Sequence, residues 1–255
     1  MKRALVLGGT TEARRVSGAL VKAGYEVTLA LKGLTHTPGV PAGVALRSGG
    51  FGGVAGLAAY VRDTQTHILI DATHPFAATM SWNAFHAARA SSTRLYAVQR
   101  PGWTRRPGDL WQPIDTLKKA VQRLRHHPPR AVLLALGGQG AELFRTCPQH
   151  RFQARVLSNS KTDLATSAAH RWRGLEIQRL AHSPSTRQEM AGMRAFGADV
   201  MIVRNSGGRL SAKMEAARRL RLPVWVITRP PMPPVPTYPS PSALLQHLGH
   251  DTARL

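Results

Sequence analysis

The chain has 255 residues, 43% of them apolar, with 35 Lys plus Arg against 13 Asp plus Glu and a formal net charge of +22. That length holds one large domain or two of ordinary size, and the apolar share is ample for a packed core. No run of about 18 apolar residues exists to span a membrane, and the single Cys147 excludes an intrachain disulfide, which fits a cytoplasmic location.

Lys2 to Leu7 reads as a first strand. Its apolar run, Ala4 to Leu7, is too short for a signal-peptide core and runs into Gly8-Gly9-Thr10-Thr11-Glu12. Ala13, Val16, Leu20 and Val21 then recur at helical spacing up to about Ala23, and Gly24 marks the stop. Tyr25 to Leu31 is a second strand and Lys32 to Gly43 a loop. Leu46 to Gly53 is a short extended piece ending in glycines. A helix over Val54 to Arg62 and a strand over His67 to Ile70 follow, then a helix after Pro75 to about Ala90 and a strand over Arg94 to Gln99. Asp115 to Arg125 is helical, and His126-His127-Pro128-Pro129 breaks it, which places a domain boundary between residues 127 and 128.

A second alternation begins with a strand over Ala131 to Leu136, the turn Gly137-Gly138-Gln139-Gly140 and a helix to Phe144. Strands over Phe152 to Leu157, Asp199 to Val203 and Val224 to Thr228 are interleaved with helices over Thr186 to Phe196 and Ala212 to Leu220. The proline-rich stretch from Pro230 to Pro241 can form neither helix nor central strand, so it is expected as an extended cover or linker. Strands alternating with helices imply βαβ units and parallel sheets. The expected fold is α/β, with two Rossmann-like lobes, residues 1–127 and 128–255, and a cleft between them. The final strand stays in its own lobe or crosses to the other.

The positive field attracts polyanions. Nucleic acid, a small molecule rich in carboxylates and a phosphate-bearing cofactor all fit it, and so does a general drift of composition toward Arg. Arg is scattered and aromatics are only 6%, which argues against a binder that stacks single-stranded bases. No helix-turn-helix, zinc-finger or RNP pattern occurs, and the basic run Arg218, Arg219, Arg221 is accounted for as a solvated helix face.

Gly8-Gly9-Thr10-Thr11-Glu12 joins a strand to a helix. Glycines there permit a tight turn and bring backbone N–H groups close to a phosphate. Thr10 or Thr11 can cap the helix or meet a phosphate oxygen. The full G-x-G-x-x-G pattern is absent, so a bare turn accounts for it equally well. The turn at Gly137 to Gly140 contains Gly138-x-Gly140, but Leu143 stands where the third glycine of that pattern would fall, so it reads as structural.

In Leu69 to Phe85 (LIDATHPFAATMSWNAF) an apolar strand runs straight into Asp71, Ala72, Thr73, His74, Pro75 and Phe76. An acid, a hydroxyl and an imidazole at the carboxyl rim of a sheet mark the place where open α/β folds hold ligands. Asp71 can be a general acid or base, a ribose acceptor or a helix N-cap. Arg204-Asn205-Ser206-Gly207-Gly208 forms a similar rim, with Lys213 on the next helix to add a cation for a carboxylate. No HExxH, CxxC or clustered His/Asp spacing indicates a metal. No G-x-S-x-G elbow or activated Cys indicates nucleophilic hydrolysis.

Together these residues resemble the precorrin-6A reductase family of cobalamin biosynthesis. The motifs occur in order: Gly8 to Glu12, Gly49 to Gly53, Asp71 to Ala77 (Asp-Ala-Thr-His-Pro-Phe-Ala), Arg100 to Trp103 (Arg-Pro-x-Trp), Val132 to Gly137, Arg155-Val156, Asn205 to Gly208, Lys213, Ala216 to Arg218 and Arg229-Pro230. The resemblance spans nearly the whole chain. It implies hydride delivery from a nicotinamide cofactor to one double bond of a polycarboxylate tetrapyrrole, giving precorrin-6B. NADPH is the expected cofactor, with NADH and the cobalt-bearing substrate as the alternative pairing.

By that resemblance Gly8, Gly9, Thr10, Glu12 and Lys32 handle cofactor, and Thr73, Arg155, Asn205, Ser206, Gly207 and Gly208 hold substrate. Asp71, His74 and Lys213 are the catalytic candidates, with the proton donor left open between a side chain and water. Neither nucleic acid nor membrane is an expected partner, and a monomer or small homo-oligomer is expected. Lys32-Gly33-Leu34 stands where the family often has Ala-Gly-Arg, Gly138 where it often has Arg, and Arg204 where it often has Lys. The spacing from Gly208 to Lys213 is one residue short.

Overall fold

The computed structural model describes residues 1–33, 39–136, 140–157, 172, 174–180, 184–208 and 211–249. The chain divides into two compact units, Met1–Pro101 with Pro230–Leu255, and Gly102–Arg229.

The first unit contains β1 (Lys2–Leu7), α1 (Thr11–Lys22), β2 (Tyr25–Leu31), β3 (Val44–Ser48), α2 (Gly53–Asp63), β4 (Ile68–Asp71), α3 (Ala78–Ala90) and β5 (Arg94–Val98). The second contains β6 (Trp111–Ile114), α4 (Leu117–Arg125), β7 (Ala131–Ala135), a 3₁₀ helix (Ala141–Thr146), β8 (Arg151–Leu157), β9 (Leu175–Leu180), α5 (Thr186–Phe196), β10 (Val200–Arg204), α6 (Ala212–Arg219) and β11 (Val224–Ile227). The chain then returns to the first unit with β12 (Thr237–Tyr238) and α7 (Pro241–His247).

Each unit holds a six-stranded parallel sheet, in the orders β12-β5-β4-β1-β2-β3 and β6-β11-β10-β7-β8-β9. Five strands of each sheet follow the doubly wound Rossmann order, in which the chain reverses direction between the first and fourth of those five, and the sixth place is taken by β12, last in its unit, in one sheet and by β6, first in its unit, in the other. In the first sheet that point lies between β1 and β4. In the second it lies between β7 and β10.

The central strands read as near-continuous apolar runs because helices cover both faces. In β1, Ala4 and Val6 point into one core with Val16, Leu20, Ile68, Ile70, Leu244 and Leu245. Leu5 and Leu7 point into the other with Leu57, Val61, Leu69 and Ala84. The second unit packs Leu133, Met201, Val203, Met193 and Met214 together. Burying a side chain of this size contributes roughly 1.5–3 kcal/mol.

The boundary expected between residues 127 and 128 is displaced, and the reason is strand pairing. Trp111–Ile114 hydrogen-bonds in register with Val224–Ile227, so it is an edge strand of the second sheet. His126 to Pro129 is only the loop between α4 and β7. The strand Val224–Ile227 stays in the second sheet, and Thr237–Tyr238 pairs with Ala97 and Val98 in the first. The proline-rich stretch is therefore not merely a cover, since it supplies an edge strand where prolines are tolerated. It is followed by α7, capped by Ser240 with Pro241 in its first turn. The helix expected up to Phe144 is a 3₁₀ helix. Leu34 and the residues 137–139 lie outside the described residues.

Candidate active site

In the first unit, the carboxyl ends of β1 and β4 meet at the point of reversal. Gly8 follows β1, and a Cβ placed on it would stand 2.5 Å from Leu29 Cδ1 in the buried core, so any side chain there would force Leu29 to move. Gly9 has φ +119°, a region closed to most L-residues, and no heavy atom lies within 4 Å of where its Cβ would be. The backbone of the turn is thus open, and α1 starts immediately after it. Thr10 is the N-cap, its hydroxyl accepting from the Ala13 N–H at 3.0 Å and donating to the Ala72 carbonyl at 2.7 Å. That second bond ties the glycine turn to the rim of β4. The Thr10 hydroxyl is thus engaged at both ends.

Asp71 ends β4 and is buried. Its Oδ1 accepts from the Thr73 N–H at 3.0 Å and from the Thr73 hydroxyl at 2.6 Å. This is an Asx turn, and it corrects the helix-cap alternative: α3 begins at Ala78 with Ala77 as an N-cap that makes no side-chain bond. Thr73 is itself buried and spent on Asp71. His74, half-buried at the lip, accepts from the Phe76 N–H at 3.2 Å through Nδ1. In the neutral ring that bond leaves the proton on Nε2.

Glu12 lies in the first turn of α1 and Arg100 just beyond β5. Arg100 Nη1 donates to both Glu12 oxygens at 2.9 Å. Burial pushes the Glu12 carboxyl up. The Arg100 hydrogen bond, a backbone N–H, the Arg100 charge and the Thr10 hydroxyl together outweigh it and bring it below the ordinary glutamate value. Lys32 is exposed just past β2. The open turn at Gly9, the start of α1 and a cation beyond β2 fit a dinucleotide, whose pyrophosphate such a turn accommodates.

In the second unit, Arg204 ends β10 and donates to the Leu136 carbonyl at 2.9 Å. Burial lowers the Arg204 pKa and the nearby Glu142 charge opposes that fall. Asn205 turns back on its own unit: its Oδ1 accepts from the Trp103 N–H at 2.7 Å, and its Nδ2 donates to the Trp103 carbonyl at 3.1 Å. Arg229 donates to the carbonyls of Asn205 at 3.0 Å and Ser206 at 3.2 Å. Asn205 is therefore committed to holding its neighbours. Gly207 is buried and Gly208 exposed, with φ of +72° and +77°.

Arg155, on β8, is buried and ion-paired with Glu189 of α5. Lys213, in the first turn of α6, has its pKa lowered by burial and then by the Arg155 charge. Arg155, whose charge also reaches Lys213, is thus paired with Glu189, a residue no sequence motif singles out. Its signal was available: Glu189 recurs with Met193 and Phe196 on the buried face of α5. Arg100 was read only as part of a motif, without a role.

Residues 3–249 match the family described as Precorrin-6x reductase CbiJ/CobK. The chain belongs to this family. A precorrin-6A reductase from a Sinorhizobium species is 38% identical over 253 residues, covering 97% of this chain and 93% of that protein. One from Rhodobacter capsulatus is 39% identical over 236 residues, 91% and 90% of the two. The cobalt-precorrin-6A reductase of Salmonella typhimurium is more distant, at 28% over 240 residues, 89% and 87%. A solved structure of CobK precorrin-6A reductase superposes with a TM-score of 0.84 at 33% identity, covering 98% of this chain and 97% of that one. The CbiJ/CobK family is thus shared along both Rossmann-like units, not along one alone. Among the described residues no helix is long and apolar enough to cross a membrane.

Proposed function

We infer that this chain is an oxidoreductase of cobalamin biosynthesis that reduces one double bond of precorrin-6A to give precorrin-6B. The observation that carries this reading is a family match across almost the whole chain, joined to an open glycine turn at the point of reversal of the first sheet. A reduced nicotinamide, when bound, supplies the hydride.

The protein's part is to bind, orient and place protons. The Gly8–Thr10 backbone and the start of α1 receive the pyrophosphate. Lys32 follows β2, the strand whose end faces the adenosine ribose in this strand order. A lysine there favours NADPH, through its extra phosphate, over NADH. Asp71 holds Thr73 and so sets the path of the lip. His74 presents an Nε2 proton from that lip. In the second unit, Arg155 and Lys213 suit a substrate fringed with carboxylates. Lys213 holds its proton less tightly than a free lysine, which suits it to donate one beside the reduced carbon. Gly207 and Gly208 offer backbone to the substrate, and Ser206 and Asn205 shape that loop.

The test is direct. The purified protein is mixed with precorrin-6A or its cobalt-bearing counterpart, and with NADPH or NADH, in all four pairings. Loss of nicotinamide absorbance with a product heavier by two hydrogens is expected fastest for metal-free substrate with NADPH. No turnover in any pairing defeats the proposal.

A further inference from the structure

The Arg-Pro-x-Trp motif opens with Arg100, which lies outside the groups assigned to cofactor and substrate. In the first sheet β4 separates β5 from β1. Arg100 follows β5, and Glu12 follows β1 by way of the glycine turn. Their contact at 2.9 Å therefore bridges the carboxyl end of β4, where Ala72 to His74 leave the sheet. Their side chains are only 24% and 20% exposed, so solvent screens the pair weakly.

An acid in the first turn suits the partial positive charge of a helix N-terminus. It does not suit a site that takes a pyrophosphate there, because the carboxylate and the phosphates repel one another. Glu12 stands three residues from Gly9, the open point of the turn. The Thr10 hydroxyl, engaged with Ala13 and Ala72, carries no charge with which to cancel that of Glu12. A guanidinium clasping both oxygens of Glu12 does offset it, and also draws the carboxylate toward β5.

We propose that Arg100 is a positioning residue for cofactor binding, which acts by neutralising Glu12 and holding it clear of the phosphate turn. The proposal rests on the assignment of the cofactor to the first unit. It separates two roles that a single substitution confuses, direct contact with phosphate and compensation of a resident acid. Compensation alone predicts that removing the acid makes the arginine dispensable.

The experiment is a double-mutant cycle on the full chain, read as the NADPH dissociation constant from nicotinamide fluorescence and as KM against kcat. Arg100→Ala is expected to weaken NADPH about thirtyfold, raising its KM with kcat largely kept. The pair Arg100→Ala with Glu12→Gln is expected to bind within about threefold of the unsubstituted protein. Arg100→Lys retains the charge and is expected within about fivefold. Thermal unfolding of each variant registers any loss of fold. A double variant no tighter than Arg100→Ala overturns the proposal, as does Arg100→Ala binding like the unsubstituted protein. Should Arg100→Ala fail to fold, Arg100→Lys binding more than thirtyfold weaker while folded overturns it too. If the unsubstituted protein binds neither NADPH nor NADH, the cofactor assignment falls and this inference with it. Normal binding without rescue overturns this inference alone.

Discussion

The two units share the order of five of their strands, yet their points of reversal are finished in different ways. In the first, the described turn after β1 leaves backbone open at Gly9, and the side chains around it serve to brace it. In the second, the residues at the end of β10 turn inward: Arg204 onto Leu136, and Asn205 onto Trp103. Topology supplies a rim in each sheet, but local chemistry decides what the described residues present there: open backbone after β1, side chains tied to their neighbours at the end of β10.

The sharpest way to break that contrast is Gly9→Val. It places a branched side chain at φ +119° and occupies the open space, so NADPH affinity should fall at least about a hundredfold. Strain of about 1–3 kcal/mol should lower the melting midpoint by a few degrees. Fluorescence titration and calorimetry read the two separately, and unchanged affinity would place the cofactor elsewhere.

Next comes Asp71→Ala, which leaves the Thr73 N–H and hydroxyl without their acceptor. Turnover should drop about ten- to a hundredfold while the protein still folds, with a stability loss of about 1–3 kcal/mol. Asp71→Asn keeps an acceptor oxygen and should recover most of the activity. If Asn is as poor as Ala, the charge itself takes part in proton transfer, and steady-state rates across pH would reveal it.

Asn205→Ala tests the other rim. Two backbone groups of Trp103 lose their partners, so the protein should lose about 2 kcal/mol in chemical denaturation. NADPH affinity should not change, and a large change would erase the contrast between the rims.

The smallest effect is a pH dependence. Glu12 titrates lower in the folded chain than in the unfolded one. Its contribution is therefore fully present above the usual glutamate value, about 4.3, and is lost as pH falls through the lower folded value. The size should be at most about 1 kcal/mol. The slope of stability against pH below about 4 should flatten in Glu12→Gln.

Periodicity and glycine placement made most of the helices and central strands legible, because buried parallel strands and one-sided helices each have their own pattern. What escaped was set by partners distant in sequence. Trp111–Ile114 contains Pro113 and is too short to declare itself, and its register with Val224–Ile227 alone makes it a strand. Leu175–Leu180 does alternate, but as an edge strand beside β8 it carries few apolar residues. The cap at Ser240 with Pro241 was visible, yet the surrounding prolines obscured it. At the site, Asp71, Thr73 and His74 stood out because polar residues rarely end a buried strand. Their division of labour, with Asp71 bracing Thr73, came only from distances. The pairing of Glu12 with Arg100 spans 88 positions, and no local pattern encodes it.

Asn205 has one more consequence. Its side chain fastens Trp103, next to the residue where the chain enters the second unit, and its carbonyl fastens Arg229, where the chain leaves. Entry and exit are thus stitched to a single loop. The segment 102–229 behaves topologically as a guest with adjoining termini, spliced into a host whose own sequence resumes afterwards. Such a guest, carrying every described strand of its sheet, is expected to tolerate circular permutation, and the circular dichroism of a permuted chain would check it.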